Sequence, residues 1–202
     1  MKTRATLLAL LLATFAVVST AAWGQSICDA VAGNLVVNCG FETGDFTGWS
    51  NTGNTGFTLV TNNPTYVNSG NFGAQLGPVG SDGFLTQNVG AAGATSYAVS
   101  FYLHNDGGTP NDFTVIWNGV DVGPDLVDVG GFSYTQFSGV LSGNPGAGAN
   151  SLTFAFRQDP AYWGLDDVVV TGVSTVPEPS SLVLMGSGLL GLAGLIRRKL
   201  GA

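Results

Sequence analysis

Through the middle of the chain, apolar and polar positions alternate with a period of two. Tyr97, Val99, Phe101 and Leu103 fall on one side, and Ala98, Ser100, Tyr102 and His104 on the other. Phe113, Val115 and Trp117 repeat the pattern, as do Leu152, Phe154 and Phe156. Successive side chains of a strand point to opposite faces, so each run predicts a strand with one buried and one wetter face. The same reading, bounded by Gly, Asn, Asp and Pro, predicts strands at 35–38, 57–61, 73–76, 83–89, 96–104, 112–118, 120–122, 133–141, 151–157 and 164–173. No segment of this region sustains a helical period. The expected fold is all-β, an antiparallel β-sandwich. About ten short strands in ~150 residues suit a jelly roll better than an open sheet.

Both ends break the pattern. At the start, Lys2 and Arg4 precede an apolar stretch from Ala5 to Val18 and the small residues Ser19-Thr20-Ala21-Ala22. This is the order of a secretory signal peptide, 1–24, cut after Ala22 or after Gly24. At the other end, residues 176–202 begin with Pro177-Glu178-Pro179. An uncharged apolar run, 181–196, follows, and then Arg197, Arg198 and Lys199. As a helix that run spans ~24 Å, short of the ~30 Å hydrocarbon core, and snorkelling Arg and Lys would help it cross as a transmembrane helix. The terminal bases place the preceding domain outside the cytoplasm. Gly186, Gly188 and Gly191 spell G-x-G-x-x-G, but inside a membrane run this lacks the strand and helix of a dinucleotide loop. Between the ends lies one domain, 25–175.

Charge changes the picture further. Five of the six Lys and Arg belong to the two ends, and only Glu178 of the thirteen acids does. The domain therefore keeps Arg157 alone against twelve acids, a net charge of −11. Nucleic acid is excluded as a partner, since its affinity depends on neutralising phosphates with Lys and Arg. Cys28 and Cys39, in an oxidising compartment, are expected to form one disulfide. Catalysis has little to stand on. His104 is the single histidine, and neither G-x-S-x-G nor H-E-x-x-H occurs. Carboxylate pairs for glycoside hydrolysis depend on spacing in space, but most acids here sit among turn residues. The chain is expected not to be an enzyme. Tyr102 and His104 share a strand's polar face, and Arg157 is expected on the equivalent face of another. Together they would form a platform for a glycan.

The tail, with Pro177-Glu178-Pro179, the Gly-rich apolar run and Arg197-Arg198-Lys199 in that order, resembles the PEP-CTERM sorting signal of Gram-negative envelope proteins. The same segment circulates under an ice-binding protein C-terminal label, which implies no ice binding. The resemblance implies export by the secretion machinery and initial anchoring in the inner membrane with the domain in the periplasm. It further implies cleavage near Pro177-Glu178-Pro179 by an exosortase-type membrane transpeptidase. The setting it implies is the cell surface, a biofilm or an extracellular polysaccharide matrix. An ordinary short membrane anchor is the alternative.

Two further segments carry a second resemblance. Asn34-Leu35-Val36-Val37-Asn38-Cys39-Gly40-Phe41-Glu42, running to Trp49, and Leu165-Asp166-Asp167-Val168-Val169-Val170 resemble the first and last strands of galactose-binding-like jelly rolls, among them carbohydrate-binding modules. That likeness implies that the terminal strands pair. It also implies that a structural Ca2+ ties Glu42 to Asp166, with carbonyls from Ser69-Gly70-Asn71. Strand alternation would keep Asp167 out of the same site. The alternative is that these carboxylates cap turns.

Overall fold

The computed structural model describes residues 25–90, 94–143 and 149–173. Eleven antiparallel strands fill it: β1 (Ser50–Gly53), β2 (Leu59–Thr61), β3 (Gly73–Leu76), β4 (Gly83–Gly90), β5 (Ser96–Asn105), β6 (Asn111–Trp117), β7 (Val120–Asp121), β8 (Leu126–Val127), β9 (Phe132–Ser142), β10 (Ala149–Gln158) and β11 (Trp163–Val173). One sheet runs β1-β4-β10-β6-β7, with β8 also on β6; the other runs β2-β3-β11-β5-β9. Two 3-10 turns, Ile27–Ala30 and Pro64–Tyr66, precede β1 and β3.

The alternation read from the sequence is the alternation of burial. Residues of β5 and β6 switch strictly between buried and half-buried along their lengths. The inward residues interlock as rings. Phe154 lies 5.1 Å from Phe101 and 5.8 Å from Phe113, and Tyr97 lies 5.6 Å from Trp117 across the two sheets. Both sheets bury one face against the other, the two-layer solution for antiparallel strands.

Segment 35–38 is not a strand. Leu35 N donates to Val170 O at 2.8 Å and Val168 N to Cys39 O at 2.9 Å, so the stretch does run beside β11. Between these bonds the Asn34 side chain takes the place of a neighbouring backbone, donating to Val168 O and accepting from Val170 N. Asn38 then turns left-handed (φ 52°) and ends the run. The segment predicted at 57–61 starts only at Leu59, because Phe57 is also left-handed (φ 55°). The chain also makes β1 and β8, whose Ser-Asn-Thr-Gly and Leu-Val sequences are too polar or too short to show a period.

Cys28 and Cys39 form the expected disulfide, with Cα atoms 6.1 Å apart. Closing so short a loop limits the unfolded chain by roughly 3 kcal/mol in the chain-entropy account. The signal peptide 1–24, the tail 176–202 with Pro177, Glu178, Pro179, Arg197, Arg198 and Lys199, and the transmembrane run 181–196 lie outside the described residues. Among the described residues no helix is long and apolar enough to cross a membrane.

Candidate functional site

Strand β11 carries the predicted acid pair, and it breaks its own alternation there. Asp166 lies opposite Tyr102 of β5, and the next regular partners are Val169 and Ser100, so the register shifts between them. Asp167 takes up the slack with a left-handed backbone (φ 53°). A bulge of this kind re-aims side chains. The expectation that Asp166 and Asp167 face opposite ways is therefore corrected: Val168 turns into the core, and both carboxylates meet the same turn, residues 68–69.

Both are buried, with exposures of 0% and 2%. Asp166 Oδ2 accepts from the backbone N–H groups of Asn68 (2.8 Å) and Ser69 (3.2 Å), and Oδ1 accepts from Asp167 N (2.8 Å). Asp167 accepts from Asn68 Nδ2 (2.7 Å), from Ser69 Oγ (2.8 Å) and from Ser26 Oγ. Burial, and then the charge of Asp167, push the Asp166 carboxyl up to about 8, against the pull of its three amide donors. The described residues hold two basic side chains, and each has another partner. Arg157 pairs with Asp159 at 2.8 Å and His104 with Asp106 at 3.0 Å. Two adjacent buried carboxylates without a base is an arrangement that a proton or a hard cation relieves.

Glu42 serves the other half of the same turn. Its carboxylate accepts from Asn71 N (2.9 Å) and Phe72 N (3.1 Å). Gly70 between the halves has φ +73°, and a Cβ there would collide with Glu42 Oε1. Only glycine lets the carboxylate seat so closely. The structure thus brings Glu42 and Asp166 to one turn, as expected, and adds Asp167, Asn68, Ser69 and Ser26. It differs in which backbone groups face the acids: the N–H groups of the turn do so. Carboxylate oxygens of Glu42, Asp166 and Asp167 do not all lie within 4.8 Å of one another. Asp166 and Glu42 are both matched by backbone amides, and Asp167 by the side chains of Asn68, Ser69 and Ser26. The doublet Asp166-Asp167 between Leu165 and three valines was the available signal: a strand buried on both faces has no wet side for either acid.

The outer face of the β11 sheet carries rings. His104 lies 6.0 Å from Tyr66 and 5.6 Å from Tyr134, and Tyr66 lies 5.7 Å from Tyr162. Asp106 ties two of them, accepting from Tyr66 Oη at 2.7 Å and meeting His104 Nε2. Tyr134 reaches over β11, where a Cβ on Gly164 would come within 2.7 Å of its hydroxyl. That buried hydroxyl has no hydrogen-bond partner, and burial followed by the charges of Asp166 and Asp167 raises its pKa far above the usual phenol value. Tyr102 shares this face. Arg157 does not: it sits on β10, opposite Asp112 of β6, on the outside of the other sheet. The expected grouping of Tyr102, His104 and Arg157 is corrected, because the two strands belong to opposite layers. Around Arg157, Asp112 is pushed up to about 6, first by burial and then by Asp82.

Residues 175–199 match the PEP-CTERM protein-sorting motif. In three dimensions the chain is similar to a family 61 carbohydrate-binding module solved with β-1,4-galactotriose (22% identity, TM-score 0.53, 69% of this chain and 99% of that one). It is also similar to the CBM22-1 xylan-binding domain of Paenibacillus barcinonensis Xyn10C (18% identity, TM-score 0.51, 72% and 98%). A third similar structure is a family 22 xylan-binding domain (14% identity, TM-score 0.51, 73% and 100%). No curated protein matches the chain in sequence. At these identities the likeness shows the fold, which is that of the carbohydrate-binding-module jelly rolls. The chain is an exported protein sorted at the envelope through a PEP-CTERM motif, with a two-sheet antiparallel sandwich of the carbohydrate-binding-module fold ahead of it.

Proposed function

We propose that the chain is a non-enzymatic component of the cell surface or of the extracellular polysaccharide matrix. In this reading the secretion machinery exports it, 181–196 holds it in the inner membrane with the domain in the periplasm, and an exosortase-type transpeptidase cuts near Pro177-Glu178-Pro179. The sorting motif at 175–199 carries the reading. Its non-enzymatic half is supported by the disposition of the reactive groups: the adjacent carboxylates of Asp166 and Asp167 are sealed from substrate, and His104 is engaged with Asp106. Mass spectrometry of the mature protein should find a C-terminus near Pro179, free or linked to another molecule. An intact Arg197–Ala202 end would refute processing.

A second reading, a carbohydrate-binding module, is favoured by the rings around Asp106, of which His104 and Tyr162 are half-buried and Tyr66 is buried beneath them. Sugars present apolar C–H faces to rings and hydroxyls to carboxylates, and this face of the β11 sheet offers both. The similar modules named above, solved with β-1,4-galactotriose or called xylan-binding, make β-1,4-galactose oligomers and xylan the first ligands to try. Affinity electrophoresis should show retardation by one such glycan, and Tyr102→Ala should weaken it by about tenfold, ~1.4 kcal/mol. No retardation by any glycan would leave only the structural role.

The structural Ca2+ reading is retained for Asp166 and Glu42, with Asp167 added. Millimolar Ca2+ should raise the melting temperature and chelator should lower it, because a ligand that binds only the folded state stabilises it. Asp166→Asn should remove most of that difference and Glu42→Gln part of it. Identical melting curves with Ca2+ and with chelator would end the idea.

A further inference from the structure

We propose that the β9 edge of the sandwich is a docking surface for a second copy of this chain, joined to the first about a two-fold axis. The core is left open along that edge. Val120 of β7 lies opposite Trp117, a buried residue that packs on Tyr97 of the facing sheet, so Val120 belongs to the inner layer. Yet Val120 is 63% exposed, and Val122 two residues on is 40% exposed. Between Val122 and the inward residues of β9 is an apolar cleft of about 170 Å3, lined among others by Phe101, Phe137, Gly139 and Leu141. At Val122 and Leu141 it continues into a wider hollow of about 380 Å3 beside Trp117 and Val120. A Cβ on Gly139 would touch nothing within 4 Å. Sandwich domains normally close such a seam with side chains of their own.

The bordering strand specifies what closes it. Among the described residues β9 pairs with β5 alone. Two of its carbonyls have side-chain partners, Ser133 O accepting from Thr135 Oγ1 at 3.0 Å and Ser142 O from Trp117 Nε1 at 2.8 Å. No other described strand lies beside the eleven residues F-S-Y-T-Q-F-S-G-V-L-S. Exposed edges are usually blunted by charge, proline or brevity. This one has no charge and no proline, and with β11 it is the longest strand of its sheet. Unpaired N–H and C=O groups call for another strand, and the apolar cleft calls for apolar side chains on that strand's inner face. β9 is itself such a strand, with Phe137 and Leu141 inward and Gln136, Ser138 and Val140 outward.

Charge selects the same partner. A domain with twelve acids and one arginine repels its own copies everywhere except through a neutral surface, and this edge is neutral. Asp121 and Asp125, on and beside the opposite edge strand, are held on the outer side of that sheet, 2.7 and 3.1 Å from Thr114 Oγ1. The size is adequate as well. An eleven-residue edge about 37 Å long, on a sandwich about 20 Å thick, offers roughly 700 Å2 per copy, close to the ~800 Å2 of a standard interface. Antiparallel pairing of the two β9 strands would make one ten-stranded sheet and lay the two open inner layers end to end. An isologous contact of this kind closes on itself, and so stops at two.

The test uses the full chain, exported with its signal and tail, carrying Gln136→Cys, Ser138→Cys or Val140→Cys. Each is taken alone and mixed with each of the others, so that a two-fold axis at any residue from 136 to 140 opposes two of the cysteines. Directly opposed residues of paired strands have the Cα separation that a disulfide needs. On non-reducing gels at least one position or mixture should give a band of twice the chain's mass. Adding Gly139→Glu, whose Cβ would meet nothing within 4 Å and whose carboxylate would enter the apolar seam, should reduce that band about tenfold. Ser50→Cys, on the β1 edge of the other sheet, should stay monomeric. Monomer at all three β9 positions, alone and in every mixture, an equal dimer at Ser50→Cys, or cross-links only to chains of other mass would each overturn the proposal.

Discussion

Phe154→Ala is expected to destabilise the folded domain by about 3–5 kcal/mol, the cost of emptying a fully buried aromatic site. The side chain is 0% exposed, and its ring meets Phe101, Phe113 and Trp49 at 5.1, 5.8 and 6.0 Å. These partners come from both sheets and from the loop before β1, so removing the ring loosens three elements together. Domains of this size are stable by only about 5–15 kcal/mol, so the variant should sit near the edge of folding. The urea midpoint reads the effect directly, with an unchanged m-value if the loss is purely one of packing. Phe57→Ala provides the contrast. Phe57 is 64% exposed, and its loss should move the midpoint by no more than about 0.5 kcal/mol. Equal effects at the two positions would mean that the ring cluster is not the centre of the core.

The second large effect is on pH. In the presence of chelator, stability should fall as pH rises from about 4 to about 8. The folded state keeps a proton on Asp166, whose pKa is pushed up to about 8, whereas the unfolded chain releases it near the ordinary 3.8. Between those values the folded state binds more protons. Raising pH therefore favours unfolding, by at most about 1.4 kcal/mol per unit, and the loss levels off above about 8. Asp112, raised to about 6, adds to the same direction on a half-exposed surface. Asp166→Asn keeps the shape, removes the titrating group and should flatten most of the slope. Urea midpoints at pH 5 and pH 8 decide the matter; a wild-type midpoint equal or higher at pH 8 would refute the assignment. With Ca2+ present the slope should shrink, because a cation can take the place of the proton.

Legibility followed the physics of each element. Strands β5, β6 and β10 were plain in the sequence because one of their faces meets water, and a wet face leaves a period of two. Strand β1 left no such trace: it is a short edge strand of four polar or glycine residues, and its partner β4 provides the hydrophobic content. The bulge at Asp166 and Asp167 was hidden because it exists to defeat alternation. Positive φ outside glycine favours Asn and Asp, as at Asn38, Asn118, Asp128 and Asp167, but most Asn and Asp do not adopt it, so the residue type alone did not place the bulge. The error over Arg157 has another origin. A single strand shows which residues share its face, but not which sheet it joins, and only the crossing order β4-β10-β6 against β11-β5-β9 separates Arg157 from Tyr102. Ser26, Asn68 and Ser69 were beyond reach for a similar reason. They act on an acid some hundred residues or more away in sequence, through a turn whose own composition is ordinary.

The position of β11 bears on how this protein could endure being fastened. It is the middle strand of its sheet, hydrogen-bonded to β3 on one side and β5 on the other, and residue 173 at its end leads directly into the sorting segment. Any drag on a polymer or membrane joined to that segment would enter the domain through its most interior strand. An outer strand could be unzipped one bond at a time, whereas β11 cannot leave without parting two ladders and pulling Trp163, Leu165, Val168 and Val170 out of the core. The ladder to β3 covers only Trp163, Gly164 and Leu165, at the far end of β11. A pull on residue 173 would therefore first meet the β5 ladder and the bond from Leu35 N to Val170 O, and only then the doubly held, fully buried end.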